Sequence, residues 1–389
     1  MKTLLFDLLN AQPSKTSKFH GGGEYIKSIF EHLVMNFTES INIMVFYDEE
    51  RFLDDWIKEL IAEKKIKTFL VHSVNDVKDI CTENRVDVFF SGLPEHYKKE
   101  WFSSETKLIG TIHGLRKIEK SHDCFEYKYS SGKNDIKSFL RNIKWSLKTL
   151  KKAAEEKEIA NQQRVIDMLD EIVCVSEHTY YALKYYYPQI AKNKIHLFYS
   201  PAKNATVEET DLEIRMVSEK YILLIGGDRW LKNSYRALKA IDSLYNKGYL
   251  KDTRTVLVGG TSDTIKSELK NSEMFKWLPY VKTSELENLY KYCEIFVYPS
   301  LNEGFGYPPI EAMNYGTTCI VSAVCSLPEI CGDAVYYVNP YDIPEIANRI
   351  LHAMDSKLPK NAVEKQVEKI NRKQKEDLHK ISEFLVNIE

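Results

Sequence analysis

Along the 389 residues, short apolar runs alternate with longer stretches whose apolar positions recur every three or four residues. The runs fall at 2–9, 41–46, 68–71, 86–90, 107–112, 171–176 and 194–199, with amphipathic stretches such as 25–35, 54–62 and 177–187 between them. A run that is apolar on both faces predicts a strand covered on both sides, and the helical recurrence predicts the elements that cover it. Residues 201–213 are polar and aperiodic, which predicts a linker. The pattern then restarts, with strands at 221–225, 255–259, 295–297, 318–322 and 334–338. Helices are expected at 234–245, within 281–290 behind Ser284, from 310 onward, at 327–330, 344–354 and 361–388. Such alternation predicts an α/β chain containing two doubly wound parallel sheets.

One predicted helix stands apart. Over 135–169, Ile136, Phe139, Leu140, Ile143, Leu147 and Leu150 form an apolar stripe flanked by Lys137, Arg141, Lys144, Lys148, Lys151 and Lys152. A basic amphipathic helix could rest on an anionic membrane surface, here through 135–157, or pack on the protein with a solvated face.

Composition narrows the class. With 43% hydrophobic and 28% charged residues, the chain has the make-up of a soluble globular protein, and its length suits two domains. A net charge of -2 argues against bulk nucleic-acid binding. The seven cysteines are scattered without a Cys-x-x-Cys pair, which predicts buried thiols. No apolar run reaches the length of a membrane span, and the first ten residues turn polar too early for a secretory signal, so a cytoplasmic protein is expected.

The candidate chemistry centres on 298–313, Tyr-Pro-Ser-Leu-Asn-Glu-Gly-Phe-Gly-Tyr-Pro-Pro-Ile-Glu-Ala-Met. A strand, a glycine loop and a helix opened by Pro308 and Pro309 follow in that order, which aims backbone N–H groups and a positive dipole end at an anion. Glu303 and Glu311 frame the loop, and carboxylates suit hydroxyl groups better than phosphate. A ligand phosphorylated in its middle and hydroxylated at both ends, such as a nucleotide sugar, fits both features. In the loop 226–233, Arg229 and Lys232 sit where a βα unit meets phosphate, a fork and a point charge suited to a diphosphate. His113 follows a strand directly and can donate to a sugar hydroxyl or a phosphate oxygen. Gly21, Gly22 and Gly23 precede a helix and would let backbone approach a ligand closely. No Asp-x-Asp occurs in the chain, which removes the usual metal-diphosphate clamp, so no metal and no other cofactor is expected.

Taken together, these residues resemble the family 4 retaining glycosyltransferases of GT-B fold. The signature is Glu303-Gly-Phe-Gly-Tyr-Pro-Pro-Ile-Glu311, supported by 285–290, Pro299-Ser300, Gly316 and Leu327-Pro-Glu329. Gly114 departs from the pattern, since many relatives carry Asp after the histidine. The resemblance implies two Rossmann-like domains facing a cleft: 1–205 on the acceptor side, 206–360 binding the nucleotide sugar, and a helix 361–389 packing back on the first. It implies that Glu311 holds the ribose hydroxyls, Glu303 the transferred sugar, and the amides of Gly304, Phe305, Gly306 and Tyr307 sugar hydroxyls. Arg229 and Lys232 would hold the departing diphosphate, with His113 completing the catalytic set and Gly22, Gly23 and Asn233 the donor-binding set. The implied reaction is metal-independent transfer of a hexose, with retention, from a UDP- or GDP-sugar to a glycan, lipid-linked or protein acceptor, in the cytoplasm or at the inner face of the membrane. A non-catalytic nucleotide-sugar-binding partner in a glycosylation complex is the alternative.

Overall fold

The structure, a computed structural model, describes residues 1–13, 21–129, 148–203 and 212–388. The chain divides into two compact units. The first gathers Met1–Leu115, Glu158–Asn204 and Asn371–Glu389; the second gathers Arg116–Lys157 and Ala205–Ile370. Arg116–Lys157 therefore clusters with the second unit, whereas the sequence expectation kept it with the first. Of the predicted basic helix, 135–147 lies outside the described residues, and the remainder belongs to a helix over Lys148–Met168. The last helix, Lys360–Asn387, contributes to both units. No helix among the described residues is long and apolar enough to cross a membrane.

The first unit holds seven parallel strands: β1 (Thr3–Asp7), β2 (Asn42–Tyr47), β3 (Lys67–Leu70), β4 (Val88–Ser91), β5 (Lys107–Ile112), β6 (Glu171–Cys174) and β7 (Ile195–Leu197). Their order is β3-β2-β1-β4-β5-β6-β7. The first strand stops earlier than the apolar run predicts. Asp7 is fully buried and accepts from Asn10 N at 3.2 Å and Asn10 Nδ2 at 2.6 Å, which turns the chain into a single 3-10 turn at Leu9–Ala11. The three glycines lie within the following helix, Gly21–Phe37, rather than before it. Amides of a first turn need no intrahelical partner, so glycine is tolerated best there.

The second unit holds β8 (Lys220–Ile225), β9 (Thr253–Val258), β10 (Phe275–Leu278), β11 (Ile295–Tyr298), β12 (Cys319–Ser322) and β13 (Tyr336–Val338), in the order β10-β9-β8-β11-β12-β13. All neighbours run parallel. Ile222, Leu224, Leu257, Val297 and Ile320 bury under the helices Ser234–Asn246 and Ile343–Asp355, which explains why these strands are almost wholly apolar. β10 escaped the sequence pattern. It is a short edge strand in which Phe275 alone is buried, so it carries neither alternation nor an apolar run. The strand order reverses between β8 and β11, which pair through Ile295 with Ile222 and Phe296 with Leu223. In an open parallel sheet the loops at such a reversal splay apart beyond the strands' carboxyl ends and leave room for a ligand. Those two loops are 226–233 and 299–306, the ones carrying the candidate chemistry.

Candidate active site

The loop after β8 is built around close backbone passages. Gly226 has φ of +67°, and a Cβ there would lie 2.7 Å from Lys232 Cγ, so its missing side chain is the space through which the lysine stem runs. Gly227 donates to Val258 O at 3.1 Å, and a Cβ on it would meet Gly260 O at 1.9 Å. After the 3-10 turn Trp230–Lys232, Asn233 takes the left-handed conformation, with φ of 59°. Its buried amide donates to Pro299 O at 2.9 Å and Pro340 O at 2.7 Å, and its oxygen accepts from Arg236 at 2.8 Å. The two loops are further joined where Leu231 O accepts from Leu301 N at 2.8 Å and Ser300 Oγ at 3.0 Å.

This joinery sets Lys232 Nζ 2.6 Å from Glu303 Oε1. Tyr298 OH and Ser300 Oγ donate to the same oxygen at 2.6 Å and 2.5 Å, and Lys232 also bonds the Tyr298 hydroxyl. Both charged side chains are nearly buried. Burial pushes the Lys232 ammonium down to about 8, against the attraction of Glu303 and with the help of the Arg229 and Arg116 charges. Burial acts upward on Glu303, but the Lys232 charge and the converging donors outweigh it and hold the carboxyl below its usual range. The pair is thus ionised near neutral pH and sits close to the lysine's titration point. Arg229 is exposed, and among the described residues no carboxylate pairs with it. A partly desolvated lysine beside an unpaired arginine is an arrangement that an anion completes.

The glycine loop follows. Gly306 has φ of +102°, and a Cβ there would lie 2.7 Å from Leu327 Cδ2, so this position excludes side chains on two counts. Ser326 Oγ donates to Glu303 O at 3.1 Å and Phe305 O at 2.8 Å, which fixes the turn from both ends. Gly304, buried Phe305 and Gly306 lead to Tyr307, the first residue of the helix Tyr307–Asn314, whose first turn contains Pro308 and Pro309. Glu311 lies one turn in and accepts from the buried Tyr290 hydroxyl at 3.3 Å.

The remaining predicted residues belong to the first unit. His113 follows β5, shares its Nε2 with Gly92 O at 3.0 Å, and packs edge-on against Tyr25 at 4.8 Å. Gly22 and Gly23 lie in the first turn of Gly21–Phe37. The second unit carries Arg229, Lys232, Asn233, Glu303, 304–307 and Glu311, and of these Lys232 and Glu303 are in direct contact. Sequence reasoning missed Tyr298, Ser300 and Asn302 as polar partners, although all three lie in the stretch it singled out. It also missed Arg116, whose charge reaches Lys232 from far away in the sequence.

Residues 213–375, most of them in the second unit, match the family model described as glycosyl transferases group 1. The O-antigen chain mannosyltransferase B of Escherichia coli is 43% identical over 79 residues, which is 20% of this chain and 21% of that protein. The O-antigen chain mannosyltransferase RfbU of Salmonella typhimurium is 33% identical over 144 residues, 35% of this chain and 39% of that protein. The matched segments thus span well under half of these curated relatives. Anabaena HepE, solved in complex with UDP and glucose, superposes with a TM-score of 0.64 at 13% identity over 99% of both chains. The two parallel sheets are those of the GT-B fold.

Proposed function

We propose that this chain is a retaining glycosyltransferase that moves a hexose from a nucleotide diphosphate sugar to a hydroxyl acceptor without a metal ion. The observation that carries the reading is the Lys232–Glu303 pair with Arg229 unpaired beside it, at the strand reversal of the second sheet. Cleavage of an anomeric C–O bond builds positive charge on the sugar ring and negative charge on the leaving diphosphate. Fixed groups lower that barrier only where they meet charge that grows. In this reading Lys232 and Arg229 meet the diphosphate, and the Tyr307–Asn314 helix N-terminus adds its dipole. Their positive charge supplies what a metal ion would otherwise supply.

Glu303 faces the sugar in this reading. Three donors converge on Oε1, and among the described residues none reaches Oε2. A carboxylate held this way is a poor nucleophile, which supports acceptance of a sugar hydroxyl and electrostatic support of the ring over a covalent glycosyl intermediate. The acceptor then attacks from the face that the diphosphate leaves. Glu311 takes the ribose, and His113 a sugar hydroxyl or phosphate oxygen. The names of the curated relatives favour mannose as the sugar and a polysaccharide chain as the acceptor, and the HepE complex favours a UDP-sugar as the donor.

The test is a panel of GDP-mannose, UDP-glucose and related donors with lipid-linked and free glycan acceptors. Nucleoside diphosphate release would be followed by chromatography and the product anomer by NMR. Donor-dependent release and a product with the donor's anomeric configuration are expected. An inverted product would overturn retention, and no release or binding with any donor would overturn the reading itself.

A further inference from the structure

Residues 116–129 lie between β5 and β6 in sequence yet cluster with the second unit. Lys128 anchors the segment to Glu268 and Ser262, and two other contacts reach the residues next to Glu303 and Lys232. Glu119 Oε2 accepts from Asn302 Nδ2 at 2.9 Å, and Asn302 is buried and precedes Glu303. Asp123 takes both terminal nitrogens of Arg236, at 3.0 and 3.1 Å, and Arg236 donates at 2.8 Å to Asn233, which follows Lys232. Both members of the Asp123–Arg236 pair are 5% exposed, and Phe125 and Tyr341 cover the guanidinium at 4.6 and 5.3 Å. Further along, the Tyr129 hydroxyl accepts from Tyr235 N at 2.8 Å, in the first turn of Ser234–Asn246.

We propose that 116–129 is a positioning strap: Glu119 through Asn302, and Asp123 through Arg236 and Asn233, hold the loops of Glu303 and Lys232 at their bonding distance. Glu119 and Asp123 are then positioning residues for a reaction they do not touch. The proposal rests on the transfer reading for its kinetic consequence but not for its structural one. A buried bidentate pair is costly to break, since removing one partner leaves the other charge uncompensated. Asp123→Ala therefore risks unfolding, and the partly buried Glu119 gives the cleaner variant.

The test titrates Lys232 in the ligand-free protein through the pH dependence of its acetylation by acetic anhydride, read on the Lys232 peptide by mass spectrometry. The groups that face Lys232 are Glu303, Tyr298, Arg229 and Arg116. The wild-type midpoint is expected at about 8. In Glu119→Ala the unpinned loop admits water, the dominant cause of the depression weakens, and the midpoint rises by about one pH unit. Glu119→Gln still accepts from Asn302 and keeps the wild-type midpoint, which separates positioning from loss of charge. Asp123→Asn keeps one acceptor for Arg236 and moves the midpoint the same way by less. Where a donor is turned over, Glu119→Ala lowers kcat about tenfold with donor KM nearly unchanged. A midpoint unmoved in both Glu119→Ala and Asp123→Asn, or moved equally in Glu119→Gln, overturns the strap. Absence of turnover with every donor in wild type counts against the transfer reading and leaves the labelling result decisive for the strap.

Discussion

Lys232 and Glu303 lie 71 positions apart in sequence and 2.6 Å apart in space, joined because β8 and β11 are neighbours at the reversal of the second sheet. Neither side chain reaches the pair unaided. Gly226 opens the path of the lysine stem, and Tyr298 and Ser300 share the carboxylate oxygen that the ammonium contacts.

The depressed lysine predicts opposite pH dependences for activity and stability. Lys232 titrates near 8 in the fold and near 10.5 when unfolded. In the proposed transfer, protonated Lys232 is the form that meets the diphosphate, so kcat/KM should fall as pH rises through about 8. Over the interval from 8 to 10.5 the unfolded chain binds the extra proton, so the lysine's contribution to stability rises with pH. A bound diphosphate favours the ammonium, and the alkaline limb of kcat should lie above that of kcat/KM. Rate profiles beside thermal melts at matched pH check this; an activity loss that tracks a melting loss would contradict it.

Gly226→Ala tests the path of the lysine. The left-handed backbone costs about 1–2 kcal/mol for a residue with a Cβ. The new Cβ also meets a flexible stem, which yields by displacing its ammonium. Turnover is therefore expected to fall by far more than the stability loss would cause. Wild-type turnover in a folded Gly226→Ala protein would show that the stem's path does not matter.

For Glu311, remote from the reacting bond in this account, the expected result is a binding defect. A hydrogen bond to a charged group contributes roughly 1.5–3 kcal/mol, so Glu311→Ala should raise donor KM by about ten- to a hundredfold and leave kcat close to wild type. Steady-state kinetics with saturating acceptor measure it. A kcat loss at unchanged KM would move Glu311 into the chemical step.

Chelation tests the electrostatic account from another side. With Arg229, Lys232 and a helix N-terminus meeting the diphosphate, activity should survive excess EDTA. Complete loss, restored by magnesium or manganese, would assign the charge compensation to an ion.

Much of the fold was legible in the chain because the inner strands of both sheets are buried on both faces and leave apolar runs. The two candidate loops stood out because glycine, proline and paired carboxylates fall together at a strand-helix junction. The strap was not. Asp123 and Arg236 are 113 positions apart, and Glu119 and Asn302 are 183 apart. Contacts of that kind leave no periodicity, and each residue alone passes for an ordinary surface polar group. Asn233 shows the reverse case: counted with the donor-binding residues in sequence, its side chain bonds Pro299, Pro340 and Arg236 and joins the loops. Tyr298 went unremarked because a strand's last aromatic residue is as readily core as chemistry, and here its ring is buried while its hydroxyl serves the pair.

The central claim is that Lys232 meets charge developing on a departing diphosphate. Its most direct test is the kinetics of Lys232→Ala with the best nucleotide sugar, after a melt confirms that the variant is folded. Removing a preorganised group of this kind should lower kcat by about a hundred- to a thousandfold while donor KM changes little. Wild-type kcat, or a defect confined to KM, would contradict the account.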